Sequence, residues 1–137
     1  MEFELDLAPT EENINEIRNG LVEHNSPFLT DIDRRKVAYY AIDGESKVAG
    51  ITAEFFGSWL LINFLWVDKT IRGRGTGSEL MAKLESYAMS QGCHSSMVDT
   101  FSFQAKPFYD KLGYECQMTL DNYPTSHSRY FFTKQLK

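Results

Sequence analysis

The stretch from Trp59 to Ala88 constrains this chain more than any other. Trp59 to Val67 is an apolar run interrupted only by Asn63. It is far too short to cross a bilayer as a helix and reads as a central strand covered on both faces. A turn follows, Arg72-Gly73-Arg74-Gly75-Thr76-Gly77, and from Ser78 the residues Leu80, Met81, Leu84, Tyr87 and Ala88 recur at helical spacing until Gly92 stops the helix. A strand, a glycine turn and a helix in that order make an anion site. The first amides of a helix lack intrahelical acceptors, its N-terminal end carries partial positive charge, and glycines let an oxyanion approach the backbone with no Cβ in the way. The flanking arginines add charge-assisted contacts.

The rest of the chain alternates between the two secondary-structure periods. Glu2 to Leu7 places Phe3, Leu5 and Leu7 on one side and predicts a first strand. Pro9-Thr10-Glu11-Glu12 starts a helix with Thr10 as its cap and Ile14, Ile17, Leu21 and Val22 on one face. Gly20 weakens that helix, and residues 25–33 read as a loop or a short helix. Val37–Ile42 and Lys47–Phe56 form a hairpin about Asp43-Gly44, and Gly57-Ser58 turns the chain into the apolar strand. Met97–Phe101 is a short strand, a short helix runs from about Gln104 to Gly113, and Tyr114–Leu120 and Tyr130–Leu136 are the closing strands. Helices between strands in the second half imply parallel neighbours there, against hairpins in the first half. The expected fold class is α/β: a mixed central sheet with helices on both faces, in a single domain over residues 1–137.

Composition narrows the function. The chain has 137 residues, 42% of them hydrophobic, enough for one self-sufficient core. Its formal net charge is −5, which argues against a general phosphate-neutralising surface and hence against a nucleic-acid partner; a phosphate site has to be local. Cys93 and Cys116 do not make a metal-binding spacing, and His24, His94 and His127 are scattered, so no metal is expected. With no membrane segment and no charged, apolar leader before the first element, a cytoplasmic location with reduced thiols is expected.

Three phosphate motifs compete for the turn. A Walker loop needs a lysine after its glycines, and none follows here. A dinucleotide fingerprint needs G-x-G-x-x-G, and counting from Gly73 or Gly75 its last position falls on Ser78 or Leu80. The pattern [QR]-x-x-G-x-[GA] is met by Arg72, Gly75 and Gly77. Downstream, Ala105-Lys106-Pro107-Phe108-Tyr109-Asp110-Lys111-Leu112-Gly113-Tyr114 meets A-x-x-F-Y-x-K-x-G-[FY] on a helix of its own. The two together resemble the coenzyme A signature and the tyrosine segment of the GNAT acetyltransferases. The element order extends the likeness over essentially the whole chain, with a bacterial subgroup of that family as the nearest in pattern.

This resemblance implies acetyl-coenzyme A as cosubstrate and direct transfer to a primary amine, read here as that of a small molecule. A coenzyme-binding sensor without chemistry and a protein-lysine or N-terminal acetyltransferase are the alternatives. It implies that Arg72, Gly73, Arg74, Gly75, Thr76, Gly77 and Ser78 hold the pyrophosphate and that the strand around Leu65, Trp66 and Val67 pairs with the pantetheine arm as β-augmentation. Tyr109 is placed at the coenzyme sulfur as general acid. Ser102 stands where the family often has a coenzyme-contacting asparagine. The base is frequently a glutamate on or near the central strand. None lies between Trp59 and Val67, so Glu54 on the preceding strand and Asp99 before the tyrosine helix are the candidates, with His127 as a third. His24 and Asn25 fall where the family tends to build its acceptor pocket, and homodimers are its common assembly. The cysteines lie outside these positions, which argues against a covalent acyl-enzyme.

Overall fold

A computed structural model describes all residues from Met1 to Lys137, which fall into two compact units, Met1–Ile32 and Asp33–Lys137. The first unit contains helix α1 (Glu11–Asn25) and a single 3-10 turn, Ser26–Phe28. Thr10 caps α1 as its sequence position predicts, its Oγ1 accepting from the amide of Asn13 at 3.1 Å. The strand expected at Glu2–Leu7 is absent: these residues have no regular structure, and Phe3, Leu5 and Leu7 are exposed. Alternation of apolar side chains supplies one face of a strand, but a strand also needs a ladder partner for its backbone, and these residues pair with none.

The second unit is a six-stranded sheet in the order β1-β2-β3-β4-β6-β5. Its strands are β1 (Lys36–Asp43), β2 (Ser46–Phe56), β3 (Trp59–Val67), β4 (Ser95–Phe101), β5 (Glu115–Asp121) and β6 (Ser128–Gln135). The β1–β2 hairpin closes at Gly44, whose φ of 62° lies in the left-handed region that glycine tolerates. Helix α2 (Thr76–Ser90) crosses from β3 to β4, and the six-residue α3 (Lys106–Lys111) leads from β4 toward β5. Only β3 and β4 pair in parallel; β6 inserts antiparallel between β4 and β5, so the second crossover does not produce adjacent parallel strands. The mixed α/β sheet agrees with the fold class read from sequence. No helix is long and apolar enough to cross a membrane.

One core joins the sheet to both crossover helices. Leu80, Met81, Leu84 and Ala88 of α2 bury one stripe against Ala49, Ile51, Ala53 and Phe55 of β2 and against Leu60 and Ile62 of β3. Each large aliphatic side chain so buried contributes about 1.5–3 kcal/mol before entropy is counted. Tyr109 and Tyr114 join the same cluster with Phe132 of β6. Glu85 is a charge inside this core, and it is fully engaged: the Tyr114 hydroxyl donates to Glu85 Oε2 at 2.8 Å, and Lys134 Nζ reaches Oε1 at 2.8 Å. The same hydroxyl lies 2.8 Å from Ser96 Oγ. Burial, augmented by the Glu85 charge, pushes the Tyr114 phenol far above its usual range, while the Ser96 bond opposes that shift.

Tyr114→Phe leaves a buried carboxylate oxygen and a buried serine without their partner, which costs about 1–3 kcal/mol. Denaturant unfolding should show that loss with an unchanged m-value; wild-type stability in the variant would contradict the network.

Candidate active site

The cleft originates in β3. Thr52 pairs with Phe64 and Ala53 with Ile62, so Asn63 has no cross-strand partner and forms a bulge. The extra residue resets the alternation: Leu60 and Ile62 face the core before it, Leu65 and Val67 after it. A bulge also bends and twists its strand. On the other side β3 pairs with β4 only at Trp59–Leu61 against Ser95–Met97, after which the two strands diverge. The wedge between them is a cleft of about 590 Å³ whose walls are Ile62–Trp66, Val98–Phe101 and Tyr109. Phe64 and Trp66 are 75% and 49% exposed, so β3 is not covered on both faces as its composition suggests.

Diverging strands leave backbone groups unpaired. The amide of Asp68 donates to Val48 O at 2.8 Å, so Asp68 turns its polar groups toward β2. By antiparallel alternation Trp66 does the same, while Leu65 and Val67 turn theirs to the cleft. Of the three residues expected to offer a strand edge, Leu65 offers both its amide and its carbonyl, Val67 offers its amide alone because its carbonyl accepts from Arg72 Nε, and Trp66 offers neither.

The glycine turn sits at the end of this edge. Asp68 Oδ1 accepts from Thr70 N at 2.9 Å and from Thr70 Oγ1 at 2.6 Å, bonds that hold its carboxyl below the usual carboxylate range. Arg72 Nε donates to Val67 O at 3.0 Å and folds the turn back on the strand. Gly73 and Gly75 have φ of 80° and 79°, where any other L-residue is strained, and a Cβ on either would meet no heavy atom within 4 Å. Gly77 answers a different need, since its Cβ would stand 3.4 Å from the Phe108 ring. The first intrahelical bond of α2 is Glu79 N to Gly75 O, so the amides of Thr76, Gly77 and Ser78 have no acceptor within the helix. They open on a recess of about 350 Å³ that Arg72, Gly73, Gly75 and Phe108 also line. Arg74 is exposed and is not part of that lining.

Tyr109 and Asp99 meet in the cleft. Tyr109 is buried among Phe108, Tyr114 and Phe132, and burial, helped by the Asp99 charge, pushes its phenol up to about 12. Unlike the Tyr114 hydroxyl, that of Tyr109 bonds to no protein group. Asp99 Oδ2 accepts from Arg129 Nε at 2.8 Å and lies 2.8 Å from its Nη2, which leaves Oδ1 unpaired within the protein. Arg129 is anchored in turn by the Tyr123 hydroxyl at 2.8 Å.

The remaining candidates lie elsewhere. Glu54 pairs with Leu61 in the region where β3 and β4 are still joined, and it does not line the cleft. Ser102 is used locally: its Oγ accepts from Ser128 N at 3.0 Å, and its amide donates to Ser128 O at 2.8 Å. His127 is exposed, with its ring 4.8 Å from that of Phe103. His24 and Asn25 belong to the first unit. Sequence reasoning missed Arg129 and Gln104. Gln104 lines the cleft and accepts at Oε1 from Phe101 N at 2.9 Å. An arginine directly before the aromatic run Tyr130-Phe131-Phe132 on a closing strand was the available signal for Arg129.

The profile of the acetyltransferase (GNAT) family matches residues 4–114. Blasticidin-S acetyltransferase of Streptomyces morookaense is 33% identical over 125 residues, which cover 83% of this chain and 92% of that protein. Among solved structures, an acetyltransferase from Bacillus cereus superposes with a TM-score of 0.87 at 32% identity, over 96% of this chain and 97% of the other. A crystal structure from Agrobacterium tumefaciens gives 0.89 at 25% identity, over 98% and 99%.

The Tyr109 environment has a direct readout. Because burial disfavours the phenolate, the hydroxyl stays protonated until pH about 12. An ultraviolet titration of wild type minus Tyr109→Phe should therefore show an ionisation near that pH, while an ordinary tyrosine transition near about 10 would contradict the burial. Between those two values the unfolded chain has lost the proton that the folded chain keeps, so this group lowers stability as pH rises through that window.

Proposed function

The chain belongs to the GNAT acetyltransferase family, and on that premise we propose that it moves the acetyl group of acetyl-coenzyme A directly to the primary amine of a small molecule. The observation that carries this reading is that anion recess and cleft adjoin along β3 and α3: Val67 and Phe108 line the recess, and their neighbours Trp66 and Tyr109 line the cleft. The recess suits a pyrophosphate: the space before Gly73 and Gly75 is open, three helix amides lack acceptors, and Arg72 lines it. The likeness to Blasticidin-S acetyltransferase supports a small-molecule acceptor.

Acetyl-coenzyme A supplies the reactive thioester when bound. The backbone of Leu65 and the amide of Val67 would pair with its amide-bearing arm and hold the carbonyl in the cleft. A Leu65 amide aimed there stabilises the oxygen on which charge develops, and because the donor is already in place it needs no reorganisation. An acceptor that arrives as an ammonium first loses one proton to solvent; its nitrogen then bonds to the carbonyl carbon as the carbon–sulfur bond breaks, so one further proton must leave nitrogen and one must reach sulfur. Asp99, which lines the cleft and whose Oδ1 bonds to no protein group, is the proposed acceptor of the first, directly or through a water.

Tyr109 serves the second. Its phenol, at about 12, is a weaker acid than a thiol at about 8.5. Complete transfer to the free thiolate is therefore uphill by about 5 kcal/mol, at about 1.4 kcal/mol per unit. Tyr109 consequently acts while the bond is breaking, by a hydrogen bond to the departing sulfur that becomes proton transfer as the amine proton re-enters the site.

The proposal is tested by incubating the protein with acetyl-coenzyme A and blasticidin S, amino acids, a polyamine and an aminoglycoside, and following thiol release. Turnover on at least one amine is expected; tight coenzyme binding with no turnover would make the chain a sensor. Tyr109→Phe should lower kcat by about 100-fold with little change in coenzyme affinity, and full activity would remove it from this role. Gly75→Val, forced to φ near 79°, should weaken coenzyme binding about tenfold in calorimetry, since about 1–2 kcal/mol of left-handed strain opposes the binding conformation. Unchanged affinity would sink the pyrophosphate assignment.

A further inference from the structure

The faces of the cleft are chemically different. Leu65, Val67, Val98 and Thr100 turn toward the core shared with α2 and α3, and Val67 also lines the anion recess. The donor therefore occupies that face, and an acceptor must enter from the opposite one. By the same alternation that opposite face is built from Phe64 and Trp66 on the β3 lip, Asp99 and Phe101 on the β4 lip, and Arg129 of β6.

Charge on this face decides between acceptor classes. Asp99 is the one carboxylate among the residues lining the cleft, and Arg129 is the one cation. They are bonded to each other, so the formal charge of the lining is zero. A polyamine or an aminoglycoside carries several ammonium groups, and each one desolvated in a narrow cleft needs its own anionic partner. Here a single oxygen, Asp99 Oδ1, is open to one ammonium.

The lips are aromatic instead. Phe64 stands 75% exposed on one side and Trp66 49% exposed beside it. Across the cleft the lining ring is Phe101, and Phe103, 59% exposed just outside the lining, stacks on it with centroids 5.1 Å apart and 15° between planes. The Arg129 guanidinium lies 5.5 Å from the Phe101 centroid, which ties the second lip to the Asp99 pair. Exposed rings flanking a charge-neutral cleft favour a flat apolar body between them.

We propose that the acceptor is a primary amine carried on one planar aromatic or heteroaromatic group, which seats between Phe64 and the Phe101–Phe103 stack and presents a single ammonium to Asp99. Polycationic amines are correspondingly poor acceptors. This rests on the acetyl-transfer reading above and adds the substrate class to it.

The test uses the full chain, acetyl-coenzyme A, and tryptamine against spermidine and kanamycin, with initial rates of thiol release. kcat/KM for tryptamine should exceed that for either polycation by about tenfold or more. Phe64→Ala and Phe103→Ala, both at exposed positions, should each raise the tryptamine KM by about tenfold and leave coenzyme affinity unchanged in calorimetry, and Phe103→Tyr should restore the wild-type KM. Spermidine or kanamycin as the better acceptor, or a tryptamine KM indifferent to both alanine variants, would overturn the proposal while leaving acetyl transfer intact. Calorimetry with coenzyme A alone separates the two levels, because failure to bind it would overturn the acetyl-transfer reading and this inference together.

Discussion

The early parting of β3 from β4 is the constraint on which the site depends. Two strands in the middle of a sheet would ordinarily pair along their whole length, because each unpaired amide or carbonyl in the interior is expensive. Here they pair for three residues and then separate, and the Asn63 bulge bends β3 away while returning Leu65 and Val67 to the core. The structure thus keeps its hydrophobic register and opens a polar edge in its centre. Such an edge is a binding surface awaiting an extended, amide-bearing partner. The glycine turn at its end and the buried tyrosine at its side gain their meaning from it.

Around that opening the molecule divides its polar chemistry into two groups. Beneath the cleft, Glu85, Tyr114, Ser96 and Lys134 form a closed network whose task is structural; each donor and acceptor named in it has a partner. In the cleft, Tyr109 Oη and Asp99 Oδ1 have none within the protein. Two tyrosines five residues apart, with ring centroids 5.9 Å apart, are in this way assigned opposite roles by their hydrogen bonds. Unsatisfied polar atoms facing a cavity, beside satisfied ones in the core, are what a reactive centre on a stable scaffold requires.

How much of this the sequence disclosed follows from the range of each interaction. The turn at Arg72–Gly77, the Thr10 cap and the hairpin at Gly44 depend on neighbours within a few residues, and all were legible. The pattern around Tyr109 was legible for the same reason. The bulge at Asn63 was not, because it is defined by which residue of β2 stands opposite, and the isolated run reads as one continuous buried strand. The bond between Asp99 and Arg129 joins strands that meet only in the folded sheet, so Asp99 was named without the group that orients it. Glu2–Leu7 erred in the other direction: its alternation satisfies the side-chain rule for a strand while the backbone rule goes unmet. Ser102 was placed by analogy, and its hydroxyl is committed to Ser128.

The coenzyme is proposed to run from the amides of Thr76–Ser78 along β3 to the phenol of Tyr109. A crystal structure with coenzyme A bound tests it most directly. The pyrophosphate is expected on those three amides, the pantetheine arm hydrogen-bonded to the backbone of Leu65 and the amide of Val67, and the sulfur within hydrogen-bonding distance of Tyr109 Oη. A coenzyme seated away from the β3–β4 cleft, or one whose sulfur lies on the side of the sheet remote from Tyr109, would contradict it.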